Sequence, residues 1–600
     1  MAAADLMTEE EAAYVLGRNS DECLAVYCEE GQAVFLAAAA AEGAQADRRS
    51  CRIVVPNGNA REAVKRALGG RVANVDVSTI GEIALAVVTD AAVSTGDVPP
   101  VVLDAVQRRL LFEDLKVLGG KPRRIEELCK FLCRGVAEFA FEDPDWLISD
   151  EERTVLKTLW AQLCDRGALL PSFVGAAAYR ALEDDDLASR WRIDDLFAVG
   201  FTAYDEASQH VAACLADRMV AFGRADDPGV PEIAFGHPEG MAKWASYGRT
   251  LTVAPSRRRI VRAVRCRSDE QELATVVEFL RSDIAKQGST TLIVQNGYWQ
   301  QRYASALAEA GIAAEYYQGP ALAGVDPRRA ERGADARFYG VLALAAAPES
   351  VLARRTWLGL GEWLGGSDMW EALRLRAEAA DTTVAALMDE LTTGAPLPPF
   401  SAKTASESER AAARLVARAA ERLVDARRLA TRIAPLRGDA LVEAVAQEAG
   451  IDDASRFSAL LQAAGEDAAT LFERLRRAME TPSARGELPV VIARAADASY
   501  LVSDGIVVTG VVDGLACRPE AADLSAPLDV RRKAYDEGAA RLKASLLLGG
   551  DFAVITCFDS MDLMEASRAG AEIKSIRAEG GSHRARTAPA TFVVEYLTEG

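Results

Sequence analysis

Residues 51–70 read CRIVVPNGNAREAVKRALGG, a short β-branched run, a polar turn and a helix-period stretch in one passage. The run 52–55 ends at Pro56, which lacks the amide proton a sheet ladder needs, and it predicts a strand. After Asn57-Gly58-Asn59, Ala, Val and Leu recur at helical spacing until Gly69-Gly70 marks the stop. Strand, turn and helix make one α/β unit. VANVDVSTI (72–80) predicts the next strand and GEIALAVVTDA the helix after it.

Moving outward, the pattern changes between 101 and 190. VVLDAVQRRLLFEDLKVL, RRIEELCKFLCRGVAEFAF and EERTVLKTLWAQLCDRGALL carry only helix-period apolar residues. DDLFAVGF (194–201) restores a strand, and DEASQHVAACLADRMVAF after it reads as a helix. IVRAVRCRS (260–268) and TLIVQN (291–296) are strands of a second α/β unit, each followed by a helix. The segment 335–480 is again almost wholly helical, broken by the Pro-rich loop GAPLPPFS (394–401). LPVVIARA (488–495), DGIVVTGVV (504–512) and FAVITCF (552–558) are strands, with a helix at 529–548 between the last two.

The fold class is therefore α/β, with two parallel sheets, each interrupted by a helical insertion. The expected organisation is a first sheet domain over 1–100 and 191–255 with its insertion at 101–190. A second covers 256–334 and 488–560 with its insertion at 335–487, and 561–600 is a C-terminal extension.

The 600 residues are 50% hydrophobic and 26% charged, which excludes a disordered or disulfide-stapled chain. With 69 Lys and Arg against 89 Asp and Glu, the formal charge is −20, so any nucleic-acid site must be a confined groove. The ten Cys form no CxxC, and His210, His237 and His583 support neither a metal site nor a triad; free thiols in a reducing cytosol are expected. The acidic start MAAADLMTEEEAAYVLG is unlike a secretion signal, and AVFLAAAAA (33–41) is too short to span a bilayer. A cytoplasmic protein with no membrane partner is expected.

This layout and its local sequence resemble the superfamily 1 DNA helicases of the UvrD/Rep type, especially the helicase-like AddB and RecC-type subunits of helicase-nucleases. CRIVVPNGNAREAVKRAL (51–68) resembles the second motif of that family and VDVSTIGEIA (75–84) the one after it. RAVRCRSDEQELATVVEFLR (262–281) and TLIVQNGYWQQRYASALAEAGI (291–312) resemble the opening of the second RecA-like domain. DGIVVTGVVDGLACRP (504–519) and AEIKSIRAEGGSHRARTAPATFVVEYL (571–597) resemble its later strand and closing hairpin. The resemblance implies two RecA-like domains with ATP between them and single-stranded DNA across their tops. It implies DNA-backbone contacts at Asn57, Asn59 and Thr79. Trp299 and Arg302, beside Tyr298 and Tyr303, are candidates for stacking on unpaired bases.

The chain departs from the family where ATP chemistry resides. No GxxxxGK[ST] occurs, and LAVYCEEGQAVFLAAAAAEG (24–43) puts Glu29, Glu30 and Gly31 at the turn where phosphate should sit. Asp205-Glu206 is either a remnant of the magnesium-binding acids or the acidic first turn of a helix. Arg531, Arg532 and Arg541 lie where a phosphate-sensing arginine is expected, outside its usual Thr-Arg context. Asp551, Glu572 and Lys574 match the bare spacing of a PD-(D/E)xK nuclease, but the intervening DSMDLMEASRAG reads as a helix where that fold wants a hairpin.

The expectation is a helicase-like DNA repair or recombination protein with a degenerate P-loop, no cofactor and no claimed catalytic residue. It binds DNA ends or single strands beside a helicase-nuclease partner subunit. The alternatives are an active ATP-dependent helicase, which alone requires ATP and magnesium, and a protein-interaction scaffold without DNA binding.

Overall fold

The computed structural model describes residues 6–18, 21–69, 75–116, 122–139, 149–224, 238–254, 260–282, 288–316, 330–360, 363–393, 407–480, 488–495, 497–517, 521, 525, 527–579 and 582–598. The Pro-rich segment 394–401, residues 256–259 and His237 lie outside them.

In chain order the first strands are β1 (Cys23–Tyr27), β2 (Cys51–Val55) and β3 (Asp76–Thr79). A two-residue ribbon, β4 (Val101–Val102) against β5 (Ala168–Leu169), sits in the first helical stretch. Next come β6 (Ile193–Val199), β7 (Ala216–Gly223) and β8 (Arg249–Thr252). The second set is β9 (Ile260–Cys266), β10 (Thr290–Val294), β11 (Ala314–Tyr316), β12 (Val490–Arg494), β13 (Ser503–Val508) and β14 (Gly549–Phe558). β15 (Ser560–Asp562), β16 (Ser575–Glu579) and β17 (Ser582–Arg586) form a small antiparallel sheet at the end.

These make two six-stranded sheets, β3-β2-β6-β7-β1-β8 and β11-β12-β10-β13-β14-β9, and every neighbouring pair in both is parallel. The architecture is consistent with two RecA-like domains. A parallel sheet is covered on both faces, so its central strands are apolar throughout rather than alternating. All five residues of β10 and the last five of β6 are buried.

Two local readings are corrected. The stretch 205–222 is not one helix: the helix stops at Cys214, and Ala216–Gly223 is β7, seated between β6 and β1. Its run Met219–Phe222 is buried as a central strand, and a short apolar run of this kind fits either period. Similarly 560–569 divides into strand β15 and helix Leu563–Ala569, because the Asp562 carboxylate accepts from Met564 N at 2.8 Å and Glu565 N at 3.1 Å and starts the helix there.

The chain divides into two compact units. One comprises Met1–Val87, Gly175–Gln318 and Ser483–Gly600 and holds both sheets; the other comprises Val88–Val174 and Gly319–Pro482. In the second unit the two helical stretches share one core, in which Val106 and Leu110 pack with Phe338, Tyr339, Leu342 and Leu441. Buried charge joins them as well. Asp114 accepts from Arg166 Nη2 at 2.5 Å and from Arg355 Nε at 3.0 Å, and all three residues are buried. Arg166 also donates to Gln162 Oε1 at 2.8 Å and lies 4.5 Å from the Trp370 ring centroid; burial draws its guanidinium down to about 10. Asp104 accepts from Tyr339 Oη at 2.5 Å and from Arg476 Nε at 3.3 Å.

Among the described residues, no helix is long and apolar enough to cross a membrane. All ten cysteines are free thiols, five of them buried, and Cys164 alone is exposed.

Asp114 accepts from two buried guanidinium groups, so removing it takes away the buried counter-charge they share. Asp114→Ala should lower the unfolding free energy of the helical unit by about 3–5 kcal/mol. Urea denaturation followed by far-ultraviolet circular dichroism checks this, and a loss below about 1 kcal/mol refutes the role assigned to the pair.

Candidate functional site

Ligands of open parallel sheets bind at the carboxyl ends of the strands, so the upper edge of the first sheet is where a site should be built. Between the end of β1 at Tyr27 and the start of helix Glu30–Ala46 there are only Cys28 and Glu29. A phosphate-cradling loop needs several residues in this place, with glycine amides turned inward and a lysine. Here the helix opens on a capping box: Gln32 Oε1 accepts from Glu29 N at 3.1 Å, while Gln32 Nε2 donates to Ala254 O at 2.7 Å. The carboxylates of Glu29 and Glu30 take the helix N-terminus, where the peptide dipoles favour negative charge. These residues do not fit a nucleoside triphosphate.

At the end of β6 the chain continues as Gly200 and a short turn over Phe201–Ala203. Asp205 comes after that turn and caps helix Glu206–Cys214, its Oδ1 accepting from Ser208 N at 2.7 Å. Of its two readings, the acidic first turn of a helix is the one observed.

The five predicted contact residues fall into two groups. Asn57 and Thr79 follow or end the paired strands β2 and β3, whose register sets Val55 opposite Thr79. Asn57 Oδ1 accepts from Ala60 N at 3.0 Å and starts helix Gly58–Leu68. Thr79 and Glu82 cap helix Ile80–Thr95 reciprocally, at 2.8 and 3.2 Å. Asn59, on the same edge, donates from Nδ2 to Asp497 O at 3.2 Å and Ser499 O at 2.9 Å, two carbonyls of the segment between β12 and β13.

Trp299 and Arg302 belong to the second sheet. Trp299 is 1% exposed, its ring 5.7 Å from that of Phe558 in the core. Arg302 lies 5.0 Å from the Trp299 ring centroid and donates to Asp269 Oδ2 at 2.6 Å and Glu565 Oε2 at 3.2 Å.

Around Arg302 is a carboxylate cluster the sequence did not single out. Asp269 and Glu272 lie on helix Asp269–Arg281, and both are fully buried. Arg584 Nη2 approaches Asp269 Oδ1 at 3.3 Å and Glu270 Oε2 at 2.9 Å. Glu272 Oε1 accepts from Gly510 N at 2.9 Å, and Tyr303 Oη donates to Glu272 Oε2 at 3.2 Å. Burial pushes the Asp269 carboxyl up to about 6 and that of Glu272 to about 7, whereas Arg584 draws Glu270 down to about 2.

The nuclease-like spacing does not assemble. Asp551 is exposed at the amino end of β14, whereas Glu572 and Lys574 lie beyond its carboxyl end. Lys574 Nζ instead meets Asp513 Oδ2 at 3.2 Å and Glu572 Oε1 at 2.8 Å. No group of His, Cys, Asp and Glu among the described residues is arranged to hold a metal ion. Arg531, Arg532 and Arg541 all lie on helix Leu528–Leu547, which precedes β14.

No protein-family model and no curated protein matches the chain.

The Glu272 carboxyl sets a pH dependence. Its folded value of about 7 exceeds the ordinary 4.5, so the folded state holds the proton more tightly than the unfolded chain does. That stabilisation is complete below about pH 4.5 and is lost as pH rises through about 7. Glu272→Gln should flatten the fall in melting temperature across this interval, read by differential scanning fluorimetry at a series of pH values. An unchanged slope refutes the assignment.

Proposed function

We propose that this chain is a helicase-like DNA-binding protein of repair or recombination that grips single strands or DNA ends without hydrolysing ATP, as the partner of a helicase-nuclease. The observation that carries the reading is the pair of six-stranded, all-parallel sheets, each left by the chain for a long helical stretch and then rejoined. Segments resembling superfamily 1 motifs follow that order along the sequence. The Cys28-Glu29 connection supports the absence of hydrolysis, since it offers neither the glycine amides nor the lysine that hold a triphosphate. Directed movement along DNA requires a cleft opened and closed by nucleotide, whereas grip requires only a groove of suitable charge.

The net charge of −20 and the commitment of Asn59, Trp299 and Arg302 to contacts inside the protein favour a second reading, a scaffold that binds protein alone.

Fluorescence anisotropy with a labelled single-stranded oligonucleotide, across a salt series and with or without magnesium-ATP, separates these readings. The expected result is affinity that falls steeply with salt, is unchanged by ATP, and is accompanied by no phosphate release. DNA-stimulated phosphate release establishes an active motor instead. Absence of binding even at low salt favours the scaffold.

A further inference from the structure

We infer that the chain fills its own nucleotide cleft with residues 497–502, a built-in strap that fixes the two sheets against each other. The position of the cleft rests on the helicase-like reading; the strap rests on contacts alone.

β12 and β13 are both parallel to β10, so the segment 495–502 must return from the carboxyl end of one strand to the amino end of the other. Such crossovers commonly take a dozen or more residues and a helix. This one is shorter, and its described residues 497–502 form no helix, with Arg494 Nε donating to Asp497 Oδ2 at 2.6 Å and Leu501 N to Ala498 O at 2.9 Å.

Having left the second sheet, the segment is held by the first. Asn59 Nδ2 bonds the carbonyls of Asp497 and Ser499, and Glu30 Oε2 accepts from Tyr500 N at 3.1 Å. The Glu30 carboxylate, at the helix N-terminus where a phosphate would be expected, is thus bonded to the strap. Tyr500 is 5% exposed and belongs to the hydrophobic core of the first sheet, although it lies between two strands of the second.

Its ring covers the end of β6. A Cβ added to Gly200 would collide with the Tyr500 hydroxyl oxygen and lie 3.1 Å from Pro56 Cγ, and Gly200 itself has φ +67°. Tyr500 has φ +64°, a left-handed backbone that a non-glycine residue keeps only where its surroundings impose it. Val502 completes the seat, 3.5 Å from where a Cβ on Gly31 would stand. The carboxylate and the phenol together take the places in which the family would put phosphate and the magnesium-binding acids. They are covalently part of the protein, so no nucleotide exchange releases them.

Amide hydrogen exchange on the full chain, read by mass spectrometry, tests the strap without reference to DNA. Peptides covering 497–502 should be protected, and saturating magnesium-ATP should leave their exchange unchanged. Asn59→Ala and Glu30→Ala should each raise exchange there about tenfold, with global melting retained, whereas Glu30→Gln, which keeps an acceptor oxygen, should remain near wild type. Lack of protection in the wild type overturns the strap. Faster exchange on adding magnesium-ATP overturns its permanence. Failure of the chain to bind oligonucleotides, read separately by anisotropy, overturns the functional reading and leaves the strap standing.

Discussion

A parallel sheet has no hairpins, so every strand must be followed by a segment that crosses a face and returns to the starting edge. That constraint governs this protein. It explains why Ile53–Val55, Leu196–Val199 and Leu292–Val294 are apolar without alternation, and why Gly58–Leu68 and Gly297–Glu309 follow their strands as helices. It also makes the crossover between β12 and β13 conspicuous, because its described residues 495 and 497–502 include no helix and therefore have backbone groups to satisfy elsewhere. Asn59 and Glu30 satisfy three of them.

At the same edge the fold supplies an anion of its own. In a nucleotide-driven machine the anion at the helix N-terminus comes and goes, and the two layers follow it. Here that anion is the chain's own Glu30, and its partner amide belongs to Tyr500 of the other layer. A helix N-terminus favours a carboxylate for the reason it favours a phosphate, so the Glu30 side chain meets that preference from within the chain.

Charge is handled differently in the helical unit. Asp114 between Arg166 and Arg355, and Asp104 between Tyr339 and Arg476, cross-link segments separated in sequence by the whole first sheet return. Buried pairs of this kind contribute little net stability against an apolar alternative, yet losing one partner is costly. They tie Asp114 and Asp104 of the first helical stretch to Arg355, Tyr339 and Arg476 of the second.

The sequence by itself determined the alternation of strands and helices, the two helical stretches and the absence of a P-loop, because these follow from local periodicity and from residue types at fixed spacing. Its error at 205–222 has a local cause: Met219–Phe222 is apolar at every position, and only burial between β6 and β1 decides that it is a strand. The tertiary structure decided where the candidate residues point. Asn57 and Thr79 cap helices as their positions after strands suggest, but nothing local says that Asn59 reaches Ser499 or that Arg302 meets Asp269 and Glu565. Tyr500 was invisible in AADASY (495–500), a short connection between strands with no periodic pattern. Its role arises from a contact across more than four hundred residues of chain, and pairings at that separation leave no periodic trace in sequence.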